Sequence, residues 1–519
     1  MKNYLTSRQT LIIATGFLAV PVSMKAYQIN HPNVIFIYAD DMGKGMVSAY
    51  GQKQFSTPNI DRLVSQGTSF DRAYGCMLSA PARASLLTGY HDCHGSEKWH
   101  ISPGARYLYE PKDSAKIVEA ERDLDSQDVY LKPQDMYLPQ VFKQAGYVTA
   151  QIGKLEWGFT ATRSQMKRHG WDYYYGYLDH VRCHGYYPPF LFDNGKIDII
   201  SGNTLVNGGK SIEQETDSTL AERWNRKGKE VYSQDIFLEK IIHFLRDHKD
   251  KPFFLFHPTQ LPHGPVAVPA IDPEIAANPH LTTIEKEYAS MVKLLDNNIG
   301  VILSELQNLG IADRTVIVFA ADNGHEIYYS QKGRCEKPYR NLQTGSLFDD
   351  FGDKYYSSLG GDIFDGNAGM AGLKRSNLEG GVHIPLVFYG PGIIPSGKVC
   401  RELVSNYDFL PTMASWLRVP LGVKKDGTSY LESLLYGRKL SSQKYVVFGS
   451  NTGPGIVTSE GWKLRYYRAT KSWELFYLPV DLKESKDLSR QNPQKVEYLK
   501  GILLKECGGD LDNGLNKAG

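Results

Sequence analysis

The chain is predicted to form a large, mostly parallel α/β sheet flanked by helices, followed by a small C-terminal antiparallel sheet with a terminal helix. Three observations predict it. Short apolar, β-rich runs alternate with helical stretches through most of the sequence, the pattern of a parallel sheet covered on both faces. Four of those runs end in residues suited to chemistry, and in such sheets ligands collect at the carboxyl ends of strands. From about Tyr445 onward, short β-rich runs recur without long helices between them.

The first run is Val34–Tyr38, followed by Asp40 and Asp41. Adjacent acids at the end of a buried strand repel one another unless a cation lies between them; the plain alternative is a solvated turn. A second run, Val316–Ala320, leads into Asp322-Asn323-Gly324-His325 and again delivers a carboxylate and an amide oxygen. Asp40, Asp41, Asp322 and Asn323 are hard oxygen donors that suit Ca²⁺ or, less well, Mg²⁺. The third run, Tyr147–Ile152, ends in Gly153-Lys154, and the fourth, Phe253–Phe256, leads to His263. A later loop, Gly372–Gly381, carries Lys374. Taken singly, each lysine reads as a surface charge and His263 as a loop histidine.

Ser79-Ala80-Pro81-Ala82-Arg83-Ala84-Ser85-Leu86-Leu87-Thr88-Gly89 is the most informative stretch. Pro81 suits the first turn of a helix and Gly89 the position past its end. Ser79 is therefore expected at a helix mouth, where free N–H groups and the positive dipole end favour an anion. Arg83, one turn on, points back over the same spot.

At 519 residues the chain exceeds the size at which one core stops growing. A catalytic domain over 27–430 and a C-terminal α+β subdomain over 431–519 are expected. The formal charge of +2 gives no support for a nucleic-acid partner. Residues 1–26 read as an export signal. Lys2 and Arg8 precede the apolar stretch Leu11–Val22, which Gly16 and Pro21 break and which is too short to span a membrane. A cut after Ala26 would leave a periplasmic or secreted chain with no membrane segment. Six cysteines, at 76, 93, 183, 335, 400 and 507, are too far apart for a structural zinc site. Export permits disulfides, but spacing does not pair them.

The run from Ser79 to Gly89 resembles the signature of the type I, formylglycine-dependent sulfatases of the alkaline phosphatase superfamily, Cys/Ser-x-Pro-x-Arg-x-x-x-x-Thr-Gly, in its serine form. Thr57–Leu63 and Asp408–Thr412 also look like family segments, and the match runs in order from about residue 30 to 490. The resemblance implies that Ser79 is oxidised to formylglycine (3-oxoalanine) by a maturation enzyme, and that the aldehyde hydrate attacks the sulfur of a sulfate ester. It implies a metal, most often Ca²⁺, on Asp40, Asp41, Asp322 and Asn323. Arg83, Lys154 and Lys374 would hold the sulfate, and His263 would protonate the leaving group. Cys76 stands three residues early and lacks the Pro and Arg offsets, so it is not expected to be the modified residue.

One position departs from the family. Where it reads Gly-Lys-x-His, this chain reads Gly153-Lys154-Leu155-Glu156. Glu156 is either a catalytic base or a structural acid with the base placed elsewhere. Substrate identity is thinner. The stretch from His180 to Phe190, with Arg182 and His184, is either a sugar-binding wall or a packed aromatic loop. The long segment Glu326–Met370, directly after the metal motif, is placed to carry specificity. A sulfated glycan, such as a 6-sulfated galactose or N-acetylhexosamine, is the expected substrate. The rival readings are a phosphoester or phosphonate hydrolase using Ser79 unmodified, and an inactive glycan-binding homologue.

Overall fold

The computed structural model describes residues 31–94, 134–157, 162–178, 182–204, 216–329, 339–440 and 444–511. The expected leader (1–26), Cys335 and His180 lie outside them.

One sheet gathers β1 (Asn33–Ala39), β2 (Thr68–Tyr74), β3 (Val148–Lys154), β4 (Tyr173–Tyr177), β5 (Phe190–Asp193), β6 (Lys196–Ile199), β7 (Phe253–Pro258), β8 (Thr315–Ala321), β9 (Leu386–Tyr389) and β10 (Lys398–Ser405). Their spatial order is β10-β2-β9-β8-β1-β7-β3-β4-β5-β6. Only β9 and β5 run against the rest. The four strands read from the sequence, β1, β3, β7 and β8, are the centre of the sheet. Every residue of β1 and β8 is buried, as expected of strands covered on both faces.

Register decides what the strand ends can do. Tyr38 stands beside both Pro258 and Ala320, so β1, β7 and β8 finish in step. Asp40–Asp41, Thr259–His263 and Asp322–Asn323 therefore leave the sheet at one level. Gly153 brings β3 to the same place. Its φ is +131°, and a Cβ there would lie 2.2 Å from the Pro258 carbonyl oxygen.

Helices Thr283–Asn308, Ser233–His248 and Phe409–Leu417 cover the sheet. The first opens on a reciprocal cap between Thr282 and Glu285, which satisfies N–H groups that would otherwise be orphaned. Phe36 of β1 packs edge-on to Phe409 at 4.7 Å between ring centres.

A second sheet, β11 (Tyr445–Phe448), β12 (Gly455–Thr458), β13 (Trp462–Tyr467) and β14 (Ser472–Tyr477), is antiparallel throughout and carries the terminal helix Pro493–Glu506. A buried ion cluster joins it to the large sheet. Lys463 of β13 lies 3.0 Å from Glu379 and 2.9 Å from Glu484, and all three side chains are fully buried. Glu379 also accepts from Tyr74 Oη at 3.0 Å and pairs with His383 at 2.9 Å. Burial alone would raise the Glu379 carboxyl, but Lys463 and His383 hold it at about 2. Removing one partner from a buried ion cluster strands the others. Lys463→Met should thus cost about 3–5 kcal/mol in chemical unfolding; a loss under about 1 kcal/mol would mean that the two glutamates do not depend on this cation.

Candidate active site

Ser79 is the first residue of the helix Ser79–Thr88, which is buried along its whole length. Leu78 enters in extended conformation, Pro81 sits in the first turn, and Gly89 ends the helix at φ 77° with its N–H on the Ser85 carbonyl. Small side chains let the helix lie close to the sheet end. Ser79 Oγ donates to Asp40 Oδ1 at 2.6 Å. Arg83 is one turn further along the same face. Its Nε donates to the backbone carbonyl of Glu156, and its buried Nη2 has no protein partner among the described residues. An orphaned guanidinium N–H costs free energy until something accepts from it, so this nitrogen is a ready address for an anion.

Cations surround the serine. Lys154 Nζ pairs with Asp40, and Lys374 Nζ lies 2.6 Å from Asp41 Oδ2 and 3.3 Å from His263 Nε2. His263 Nδ1 meets the Gly264 carbonyl at 2.5 Å, which leaves Nε2 facing the site, 3.3 Å from Asp41 Oδ2. Burial drives the His263 imidazole well below its ordinary range, Asp40 opposes this, and Lys374 adds to it.

The four expected metal ligands converge. Asp322 Oδ1 accepts from the backbone N–H groups of Asp41 at 2.9 Å and Asn323 at 2.8 Å. Asp41 makes this turn in the left-handed region, at φ 60°, which short polar residues tolerate. Burial and then the charges of Asp40 and Asp41 push the Asp322 carboxyl well above its usual range. Asp40 is resisted by burial yet held at about 2 by Lys154 and His263. Asn323 Nδ2 donates to Asp41 Oδ1 at 2.8 Å, while its buried Oδ1 has no protein partner among the described residues. Hard oxygen donors, an orphaned amide oxygen and a carboxyl destabilised by its neighbours together fit a hard divalent cation.

The Glu156 side chain faces two ring nitrogens. Its carboxylate is spent on His169 Nδ1 at 2.8 Å and Trp171 Nε1 at 2.9 Å, away from Ser79, and it is the backbone carbonyl that reaches the site by holding Arg83. His184 lies against His263, with ring centres 4.3 Å apart. Arg182 instead stacks over Phe190 at 5.4 Å. Tyr186, Tyr187 and Phe190 are buried, and Tyr186 Oη donates to the carbonyls of Gln260 and His263. That stretch is largely a packed aromatic loop that supports His263. The Cys76 thiol is buried against Ser85 and pushed well up by that burial. Sequence reasoning missed Tyr328, whose Oη donates to Asp41 Oδ2. Its only signal was its place in the long segment after the metal motif.

A buried serine at a helix mouth, a group of oxygen donors and three basic side chains thus lie together at the carboxyl ends of the central strands of an alkaline phosphatase-like sheet. The chain belongs to the sulfatase family, whose sequence model matches residues 32–419, and it is a sulfuric ester hydrolase. It is similar to the N-acetylgalactosamine-6-sulfatase of Homo sapiens, 27% identical over 489 residues that cover 92% of this chain and 80% of that protein. It is also similar to the N-acetylgalactosamine-6-O-sulfatase of Bacteroides thetaiotaomicron, 26% identical, covering 91% and 92% of the two chains. Among solved structures, one from a Bacteroides thetaiotaomicron locus for glycosaminoglycan metabolism superposes with a TM-score of 0.67 at 23% identity, over 92% of this chain and 99% of that one. The PsFucS1 sulfatase of Pseudoalteromonas gives 0.61 at 19% identity, over 95% and 94%.

The role of Glu156 is open to direct measurement. Glu156→Gln should stay within about tenfold of wild-type kcat, because a catalytic base would contribute 10²–10⁴-fold. It should also lower the unfolding midpoint by weakening the His169 and Trp171 contacts. A kcat loss of about 10³ with unchanged stability would restore the catalytic reading.

Proposed function

We propose that the protein is an exported sulfatase that removes sulfate from sulfated glycans, with a 6-sulfated N-acetylhexosamine or galactose as the preferred ester. It would use formylglycine made from Ser79 and one hard divalent cation, Ca²⁺ before Mg²⁺. The observation that carries the reading is the Ser79 hydroxyl at a buried helix mouth, on Asp40, with the orphaned Nη2 of Arg83 one helical turn along. The names of the 26–27% identical relatives support the 6-sulfated amino sugar. Export rests on the leader composition of residues 1–26.

Asp40, Asp41, Asp322 and Asn323 would hold the cation, which when bound neutralises sulfate oxygens and makes the neighbouring nucleophile more acidic. Once oxidised by a maturation enzyme, residue 79 supplies a hydrated aldehyde, with one hydroxyl to attack sulfur and a second to expel sulfate. Arg83, Lys154 and Lys374 bind the ester's oxygens and align sulfur with position 79. A sugar alkoxide is a poor leaving group, and His263 Nε2, facing the site, would deliver the proton it needs from the imidazolium form, which the negative charge of a bound sulfate ester favours. His184 keeps the His263 ring in place. Glu156 fixes Arg83 through its carbonyl.

Two measurements test this. Mass spectrometry of the peptide spanning Ser79, taken from the native host, should show the loss of two hydrogens, about 2 Da, as alcohol becomes aldehyde. An unmodified serine in a fully active protein would sink the formylglycine step and favour direct attack by the hydroxyl. For the leaving group, His263→Ala should cost about 10²–10⁴-fold on a glycan sulfate and far less on nitrophenyl sulfate, whose phenolate leaves unaided. Equal losses on both would make His263 a binding residue.

A further inference from the structure

Lys374 and Arg375 are neighbours in sequence on one turn beside the site, and both feel the charge of Asp41. The Lys374 side chain is 4% exposed and reaches Asp41 inside the site, whereas the Arg375 side chain is 44% exposed and faces outward. Arg375 holds this position in the left-handed region, at φ 76°, an unfavourable conformation for a long side chain that persists only where the surroundings enforce it. The surroundings do so on both sides. The Arg375 N–H donates to the Met77 carbonyl at 3.1 Å, two residues before Ser79, and its own carbonyl accepts from Asn451 N–H at 3.1 Å. Its guanidinium is aimed by Glu326, whose Oε2 lies 2.9 Å from Nη1. Tyr339 Oη and the Ile327 N–H occupy the other oxygen of Glu326, at 2.6 and 3.0 Å. Arg468 Nη1 donates to the Asn451 carbonyl at 2.6 Å and brings a second guanidinium to the same turn.

We propose that Arg375 forms a second anion subsite at the rim of the sulfate pocket and selects glycans in which the sulfated sugar carries or adjoins another anionic group, a uronate carboxylate or a second sulfate. The inference deepens the proposed function and rests on it for the sugar class. A neutralising role toward buried Glu326 accounts for one edge of the guanidinium. It does not account for a strained backbone pinned beside the nucleophile entry, or for a planar fork left open to solvent. Planar guanidinium forks pair bidentately with carboxylates and sulfates, which a lysine cannot reproduce.

The test compares wild type, Arg375→Ala, Arg375→Lys and the double variant Arg375→Ala/Glu326→Gln, all as matured enzyme. The substrates are N-acetylgalactosamine 6-sulfate, the same sugar bearing a second sulfate, a disaccharide joining it to a uronate, and that disaccharide with its carboxyl reduced to an alcohol. Loss of a charge-assisted pair predicts a KM rise of about 10- to 100-fold on the substrate with the matching second anion. The monosulfated sugar and the reduced disaccharide should change less than about twofold, and kcat should hold throughout. Whichever dianionic substrate shows the rise identifies the anion. Arg375→Lys should recover only part of the loss. The double variant, relieved of a buried acid that has lost its cation, should keep wild-type stability and still show the defect. Equal effects on all four substrates, or none, would overturn the subsite. Calorimetry on the Ser79→Ala protein reads the same split without turnover. A chain that bound these sugars with this selectivity but never hydrolysed them would defeat the sulfatase reading and leave the subsite standing.

Discussion

Asp40, Asp41 and Asp322 are buried together at the ends of β1 and β8, and the rest of the site answers that concentration of negative charge. In a dry interior, like charges at hydrogen-bonding distance are not tolerated without compensation. The protein compensates in layers. Lys154 takes Asp40, while Lys374 and Tyr328 take Asp41. Asp322, which accepts from the backbone N–H groups of Asp41 and Asn323 and lies against Asp40, is the carboxyl left with a raised proton affinity. The uncompensated remainder is what a divalent cation fits. The same charge explains why the basic residues crowd around Ser79: they are held by the acids in positions where an ester's sulfate oxygens can meet them.

Much of this was legible in the sequence because parallel strands that end in step put chemistry at fixed offsets. Each central strand is a continuous apolar run, and each reactive residue follows within a few positions, as Asp40 follows Tyr38 and Asp322 follows Ala320. Asp40, Asp41, His263, Asp322 and Asn323 are then brought to one level by register. The strands outside the centre of the sheet were harder. Thr68–Tyr74 of β2 has charged Asp71 and Arg72 within it, and β5 and β6 are short. Neither carries the long apolar signature of a strand covered on both faces.

Glu156 shows the opposite limit. Its identity invited a catalytic role, since it replaces the histidine the family carries at that position and a carboxylate is a competent base. What decides its function is direction, which no one-dimensional spacing encodes. At φ 43° the chain turns its carboxylate back toward His169 and Trp171 and leaves only its carbonyl to the site. Tyr328 escaped for a related reason. It comes from an irregular segment with no periodicity, so nothing in its neighbourhood fixes which way its ring points.

The C-terminal sheet is tied to the candidate site by a run of backbone and side-chain contacts. Gly324 follows Asn323, one of the four residues proposed to hold the cation, and a Cβ there would meet the Gly380 carbonyl at 1.8 Å. Its N–H donates to Gly381 at 2.9 Å, so the end of β8 is locked onto the short helix Glu379–Val382. Lys463 of β13 anchors that helix through Glu379. On the other side of the same turn, Asn377 Nδ2 donates to the carbonyls of Gly453 and Tyr466 at 2.8 and 2.9 Å, and Asn451 holds Arg375. Lys374 thus sits on a loop clamped between the large sheet and the small one. An error of about 1 Å in a sulfate-holding group can cost about a hundredfold in rate. The small sheet is therefore part of what fixes the position of Lys374, the residue that aligns the ester in the proposed mechanism.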